Sequence, residues 1–169
     1  ENQGTLTITD STIQDGLGSG LQNYLGDVVL RRSTFQNLPG DLVHLISGST
    51  TISEGIFKNG PTGIRQADGI LTVASSTLQN LKTGIHLMAG SADIIDSRIL
   101  HMSDKGILED GGVLSFTHGY IEDTKKPGIT VNDGGLVISQ SSILNVGQDE
   151  TFYEYQDPEV DENGDYTHP

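Results

Sequence analysis

GGVLSFTHGYIEDTKKPGITVNDGG, residues 111–135, carries one full copy of a unit that recurs along the chain. Gly112 within it belongs to a series, Gly4, Gly26, Gly48, Gly69, Gly90, Gly112 and Gly134, spaced by 21 or 22 residues. A fixed period of that size is the mark of a stacked repeat. Two and four residues after each glycine stand mostly apolar pairs: Leu6 and Ile8, Val28 and Leu30, Thr50 and Ile52, Leu71 and Val73, Ala92 and Ile94, Leu114 and Phe116, Leu136 and Ile138. Apolar residues at every second position describe a strand with one buried face. A second ladder follows five residues on, Ile13, Phe35, Phe57, Leu78, Ile99, Ile121 and Ile143, and a third runs Leu21, Val43, Ile64, Ile85, Ile107 and Ile129. A helical reading of the period fails, because 22 glycines among 169 residues, with one at each unit boundary, would break any helix. A leucine-rich repeat has a similar period but needs a Leu-x-x-Leu-x-Leu core followed by Asn. Here two alternating strands precede the Asn position and a third follows it.

That position lies two residues after the second ladder and holds Asp15, Asn37, Asn59, Asn80, His101, Asp123 and Asn145. Asn and Asp accept the left-handed backbone conformation of a sharp turn better than other residues with a side chain. Amides stacked one unit apart also bond along the stack. On these residues, and on SSTLQN (75–80), TGIHLMAG (83–90) and PGITVNDGG (127–135), the chain resembles the right-handed parallel β-helix, pectin-lyase-like family. The resemblance covers about residues 4–155 and implies an all-β, right-handed parallel β-helix (β-solenoid) of about seven coils of 21–22 residues. For activity it implies less. Enzymatic members of the family cleave acidic polysaccharides, with calcium and a basic residue in lyases or clustered aspartates in hydrolases.

Composition agrees with a solenoid. Only 34% of the residues are hydrophobic and 5% aromatic, too little for a thick spherical core, whereas a stacked repeat needs only a narrow column of Ile, Leu and Val. The net charge of −14 argues against nucleic-acid partners, since phosphate binding rests on Lys and Arg. Cysteine is absent, and so is any apolar run long enough to span a membrane. The first residue is not Met, which leads us to expect a processed or excised start. A cysteine-free repeat fits an extracellular or cell-surface protein stabilised by its own stacking. Residues 1–155 read as the β-helix domain and 156–169 as an acidic tail or linker, because after Lys126 there is no Lys or Arg while eight of the 23 acids follow position 148.

Three candidate sites emerge. His44, Arg65 and His86 follow the third ladder in consecutive coils and point outward, about 5 Å apart at each step. This short cationic stripe is the candidate for an anionic sugar or carboxylate, though two His about 10 Å apart cannot share a metal. Asp161, Asn163 and Asp165 place oxygen ligands at alternate positions, as a calcium loop begins, without its distal Glu or the Gly at its sixth position. Calcium is therefore the one cofactor considered. Catalysis is not expected: the outward columns Thr7, Val29, Thr51, Thr72, Asp93, Ser115, Val137 and Thr9, Arg31, Ser53, Ala74, Ile95, Thr117, Ser139 gather no facing carboxylates. Gly16, Gly18 and Gly20 read as a turn, since a phosphate-cradling loop must lead into a helix. The third candidate is the pair of chain ends. The first coil is as apolar as the middle ones, and exposed strand edges recruit other strands. The expectation is a non-catalytic structural or adhesive module that self-associates end to end through its terminal coils and a C-terminal segment containing Phe152, Tyr153 and Tyr155, with carbohydrate binding or processing as the alternative.

Overall fold

Each alternating segment after a coil glycine forms a five-residue strand. In the computed structural model, which describes residues 4–147, these are Thr5–Thr9, Asp27–Arg31, Ser49–Ser53, Ile70–Ala74, Ser91–Ile95, Val113–Thr117 and Gly135–Ser139. They stack in chain order as one parallel sheet, Leu6 opposite Val28, then Thr50, Leu71, Ala92, Leu114 and Leu136. The second ladder forms Thr12–Gln14, Thr34–Gln36, Ile56–Gln66, Thr77–Leu87, Arg98–Met102, Tyr120–Thr124 and Ser142–Val146. The third forms Leu21–Asn23, Val43–Leu45, the last part of the two long strands, Ile107–Glu109 and Ile129–Val131. Because Ile56–Gln66 and Thr77–Leu87 run unbroken through the corner, the second and third ladders join into one 11-stranded sheet. The described residues thus make six complete turns and the first two strands of a seventh.

The core is a column, one layer per coil. Ile52, Phe57, Ile64, Leu71, Val73, Leu78, Ile85, Ile94, Ile99, Ile107, Leu114, Phe116 and Ile121 are all fully buried. The Phe35 and Phe57 rings stack with centroids 5.5 Å apart and planes 14° off parallel. Thr50, the polar exception among the first-ladder pairs, is buried at 2% exposure. Leu38, Leu42 and Leu81, from the connections between second and third ladders, complete the layers.

Three corners turn each coil, and each has its own chemistry. At the corner after the second ladder, Asp15, Asn37, Asn59, Asn80, His101, Asp123 and Asn145 all have φ between 50° and 59°. Along this row Asn59 donates to Asn37 at 3.0 Å and Asn37 to Asp15 at 3.2 Å. A second left-handed corner, between first and second ladders, holds Asp10, Arg32, Glu54, Ser75, Asp96, His118 and Gln140, with φ from 46° to 54°. The next residue is Ser11, Ser33, Gly55, Ser76, Ser97, Gly119 or Ser141. Its serine hydroxyls donate to the carbonyl two residues back, as Ser33 to Arg31 and Ser97 to Ile95 at 2.8 Å. They also accept a backbone N–H from the preceding coil, as Ser76 from Gly55 at 3.0 Å and Ser97 from Ser76 at 3.2 Å. Glycine replaces serine where a phenylalanine ring fills the corner: a Cβ on Gly55 would lie 2.7 Å from Phe57, and one on Gly119 would overlap Phe116.

The third corner is the glycine series. Gly26, Gly48, Gly69, Gly90, Gly112 and Gly134 have φ from 84° to 141°, a region closed to most side chains. Their stacking is also too close for a Cβ, which at Gly69 would overlap the Gly48 carbonyl oxygen. Two predictions follow from these contacts. Gly69→Ala carries both backbone strain and a backbone clash and should lose about 2 kcal/mol or more; Gly18→Ala, with nothing within 4 Å of the added carbon, should stay within about 0.5 kcal/mol of the parent. Equal urea midpoints for the two variants would contradict this account. Ile107→Asp, placing an unpaired charge at a site with 0% exposure, should cost more than about 4 kcal/mol, read as a large drop in melting temperature.

Candidate functional site

Parallel pairing brings the expected stripe together. His44 lies directly opposite Arg65, and Arg65 opposite His86. Two carboxylates unforeseen in the sequence accompany them. Asp41, from the corner preceding Val43–Leu45, lies 3.7 Å from Arg65 Nη1 and 3.8 Å from His44 Nδ1, and its side chain is 14% exposed. Asp110, just after Ile107–Glu109, meets His86 Nε2 at 2.7 Å and accepts from Asn132 at 2.7 Å. These bonds hold the Asp110 carboxyl below the usual carboxylate range. The stripe is thus not a bare cation row. With both imidazoles neutral, Arg65, Asp41 and Asp110 sum to −1; with both protonated the sum is +1.

The other described histidines also pair with aspartate. His118 Nδ1 lies 3.6 Å from Asp96 in the corner row and its Nε2 meets Gln140. At the top of that row Arg32 holds Asp10 by two hydrogen bonds of 2.6 and 2.9 Å, which lowers the Asp10 carboxyl. The first three positions of this row, Asp10, Arg32 and Glu54, thus alternate in charge. Each such exposed pair is worth little by itself.

His101 Nδ1 and Asp123 Oδ2, 3.1 Å apart, belong to a different setting. They edge a cleft of about 360 Å³ formed with Met102, Ser103, Thr124, Lys125 and Asn145. Met102 and Thr124, both buried, are its floor, and the polar groups rise from three successive coils. Sequence reasoning placed His101 in the corner row and went no further. No residue pattern within one coil marks the cleft; it arises because Met102, Thr124 and Val146 continue past the corner in register.

The outward columns of the first sheet stack as the periodicity requires, Thr7 through Val137 and Thr9 through Ser139. Those two columns hold one carboxylate, Asp93; Asp27, in the neighbouring column that starts at Thr5, stands three coils away, roughly 14 Å at the usual strand spacing. Among the described residues no group of three or more His, Cys, Asp and Glu is placed to hold a metal ion, and no helix is long and apolar enough to cross a membrane. Asp161, Asn163, Asp165 and the Phe152, Tyr153, Tyr155 segment lie outside the described residues.

Comparison with known proteins identifies the repeat. A family model described as a right-handed β-helix region matches residues 1–163. No curated protein and no solved structure matches the chain. Three stacked ladders, two left-handed corner rows and a family match over almost the whole sequence lead to one conclusion: the chain belongs to the right-handed β-helix family.

Proposed function

We propose that this chain is a non-catalytic structural or adhesive β-solenoid of the cell surface or extracellular space, with a β-helix domain at 1–155 and an acidic tail at 156–169. The observation that carries the reading is the separation of Asp27 and Asp93 on the outward face of the first sheet. Glycoside hydrolysis needs two carboxyls about 5–10 Å apart, and three coils put these well beyond that span.

End-to-end assembly is part of the proposal. In the seventh, partial coil the inward residues Leu136, Ile138 and Val146 remain 37–46% exposed. In the first coil Leu6, Ile8, Ile13 and Leu21 are half-buried against the core. Gly135–Ser139 and Ser142–Val146 occupy the same two sheets as Thr5–Thr9 and Thr12–Gln14. A second copy stacked on the last coil would therefore continue both sheets with the same parallel pairing. Such a heterologous contact does not close and builds a filament. Light scattering and electron microscopy over a concentration series should show rods for the intact chain and a changed threshold for a chain ending at Gly147. An intact chain that stays monomeric at high concentration would overturn assembly.

A second reading, carbohydrate binding, is favoured by the cleft at His101 and by the stripe of His44, Arg65 and His86. If His44, Arg65 and His86 take an anionic sugar, the protein should show measurable affinity for uronic-acid oligosaccharides. Arg65→Ala should weaken it about tenfold or more. Calorimetry on the parent and the variant tests this, and release of unsaturated or shortened products would reverse the non-catalytic assignment.

A further inference from the structure

Two residues beyond the third ladder, an inward column reads Asn23, Leu45, Gln66, Leu87, Glu109 and Val131. Polar and apolar side chains alternate coil by coil, and the polar ones share a task. Asn23 donates to the Gly26 carbonyl at 2.9 Å and to Ser47 at 3.3 Å. Gln66 donates to the Gly69 carbonyl at 2.8 Å and to Ser91 at 3.3 Å. Each amide thus ties the strand end to the glycine corner three residues on. Glu109 occupies the same place with 0% exposure, and both of its carboxyl oxygens lack a hydrogen-bond partner. Its Oε1 lies so close to Gly134 that a Cβ there would collide with it. The carbonyl three residues on, of Gly112, already accepts the Gly135 N–H at 2.9 Å. An ionised carboxylate has nothing to donate to a carbonyl, whereas a protonated one supplies an O–H in place of the amide N–H.

We propose that Glu109 folds as the neutral acid, its O–H donating to the Gly112 carbonyl as the Asn23 and Gln66 amides donate to Gly26 and Gly69, and that its ionisation loosens the C-terminal coils. The surroundings favour the proton. Asp110 adjoins it on its own strand end and Asp133 faces it from the corner after Ile129–Val131. His86 on the preceding coil is engaged with Asp110, and Lys105 acts on Asp110 as well. The first sheet presents no titratable group inward in these coils, only Ala92, Ile94, Leu114, Phe116, Leu136 and Ile138. Burial first, then the charges of Asp133 and Asp110, raise its titration point above the ordinary 4.5. A raised carboxyl binds its proton more tightly folded than unfolded. Stability is therefore full below the ordinary value, declines as pH rises toward the folded-state titration point, and carries a constant penalty above it.

Melting temperature should be followed from about pH 4 to about pH 9 for the parent, Glu109→Gln and Glu109→Leu, with and without calcium. The His86 and Asp110 contact is present in all three proteins and cancels in the comparison. Expected is a gap between variant and parent that widens in the variants' favour as pH rises. A carbon-detected NMR titration should show the Glu109 carboxyl changing state above the range of the other carboxylates. Should Glu109→Gln fail to fold, Glu109→Leu carries the test, since Leu45 and Leu87 fill the equivalent place. A pH-independent gap, or a Glu109 carboxyl titrating in the ordinary range, overturns the proposal. Calcium that restores the parent at alkaline pH and leaves Glu109→Gln unchanged overturns it too, because a cation would then neutralise the carboxylate.

Discussion

Strand N–H and C=O groups in a coil of this chain point along the axis, so they can be satisfied only by the coil above or below. That requirement governs the molecule. Parallel pairing demands that equivalent residues stack without slip, because a shift of one residue would turn each inward side chain outward. A period of 21 or 22 residues is therefore a constraint on spacing at every corner as well as in every strand. The one-residue variation falls where Thr50 to Leu71 and Leu71 to Ala92 still pair directly, so the corners absorb it.

Corners are the costly part of such a design, since a non-glycine residue at positive φ is strained. Fourteen described residues accept that strain, and the structure offsets it by stacking. Asn59 bonds Asn37, Arg32 bonds Asp10, and His101 meets Asp123, each partner one coil away. Only side chains stacked at coil spacing can do this. The same spacing turns an unlike-charge neighbour into a partner and a like-charge neighbour into a penalty, so Asp10, Arg32 and Glu54 alternate in sign on a protein whose net charge is −14. Inside, hydroxyls replace charges: the serine row accepts backbone N–H groups that the corner would otherwise leave unpaired.

Periodicity made the ladders, the glycine corner and the Asn corner legible before any coordinates, because each repeats one residue type at one spacing. The other left-handed corner was not legible. Its occupants, from Asp10 through Arg32 and Ser75 to Gln140, share a conformation but no side-chain type. Nor were Leu38, Leu42 and Leu81 readable as core, since they lie between the second and third ladders, Leu81 at the corner within Thr77–Leu87, where no alternation marks the inward side. The stripe of His44, Arg65 and His86 was placed correctly by counting, yet its electrostatics were not. Asp41 and Asp110 reach it from corners, and sequence spacing does not report how far a corner side chain folds back. The His101 cleft was missed for a related reason: it lies between coils, and a single coil read alone contains no trace of it.

Uniform coils also restrict where chemistry can be built. An outward column offers one side chain per coil at a step of about 4.8 Å, so groups that must act together have to sit on adjacent coils or on a corner that projects past them. The first sheet uses neither arrangement for its acids. On the second sheet the engaged acids, Asp41, Asp110 and Asp123, each touch a cation or imidazole. Each of these acids is thereby engaged by a neighbouring side chain of the protein itself. What the coil boundaries offer besides is shape and hydrogen bonding. A stack organised in this way presents its surroundings with long faces on which each position repeats once per coil.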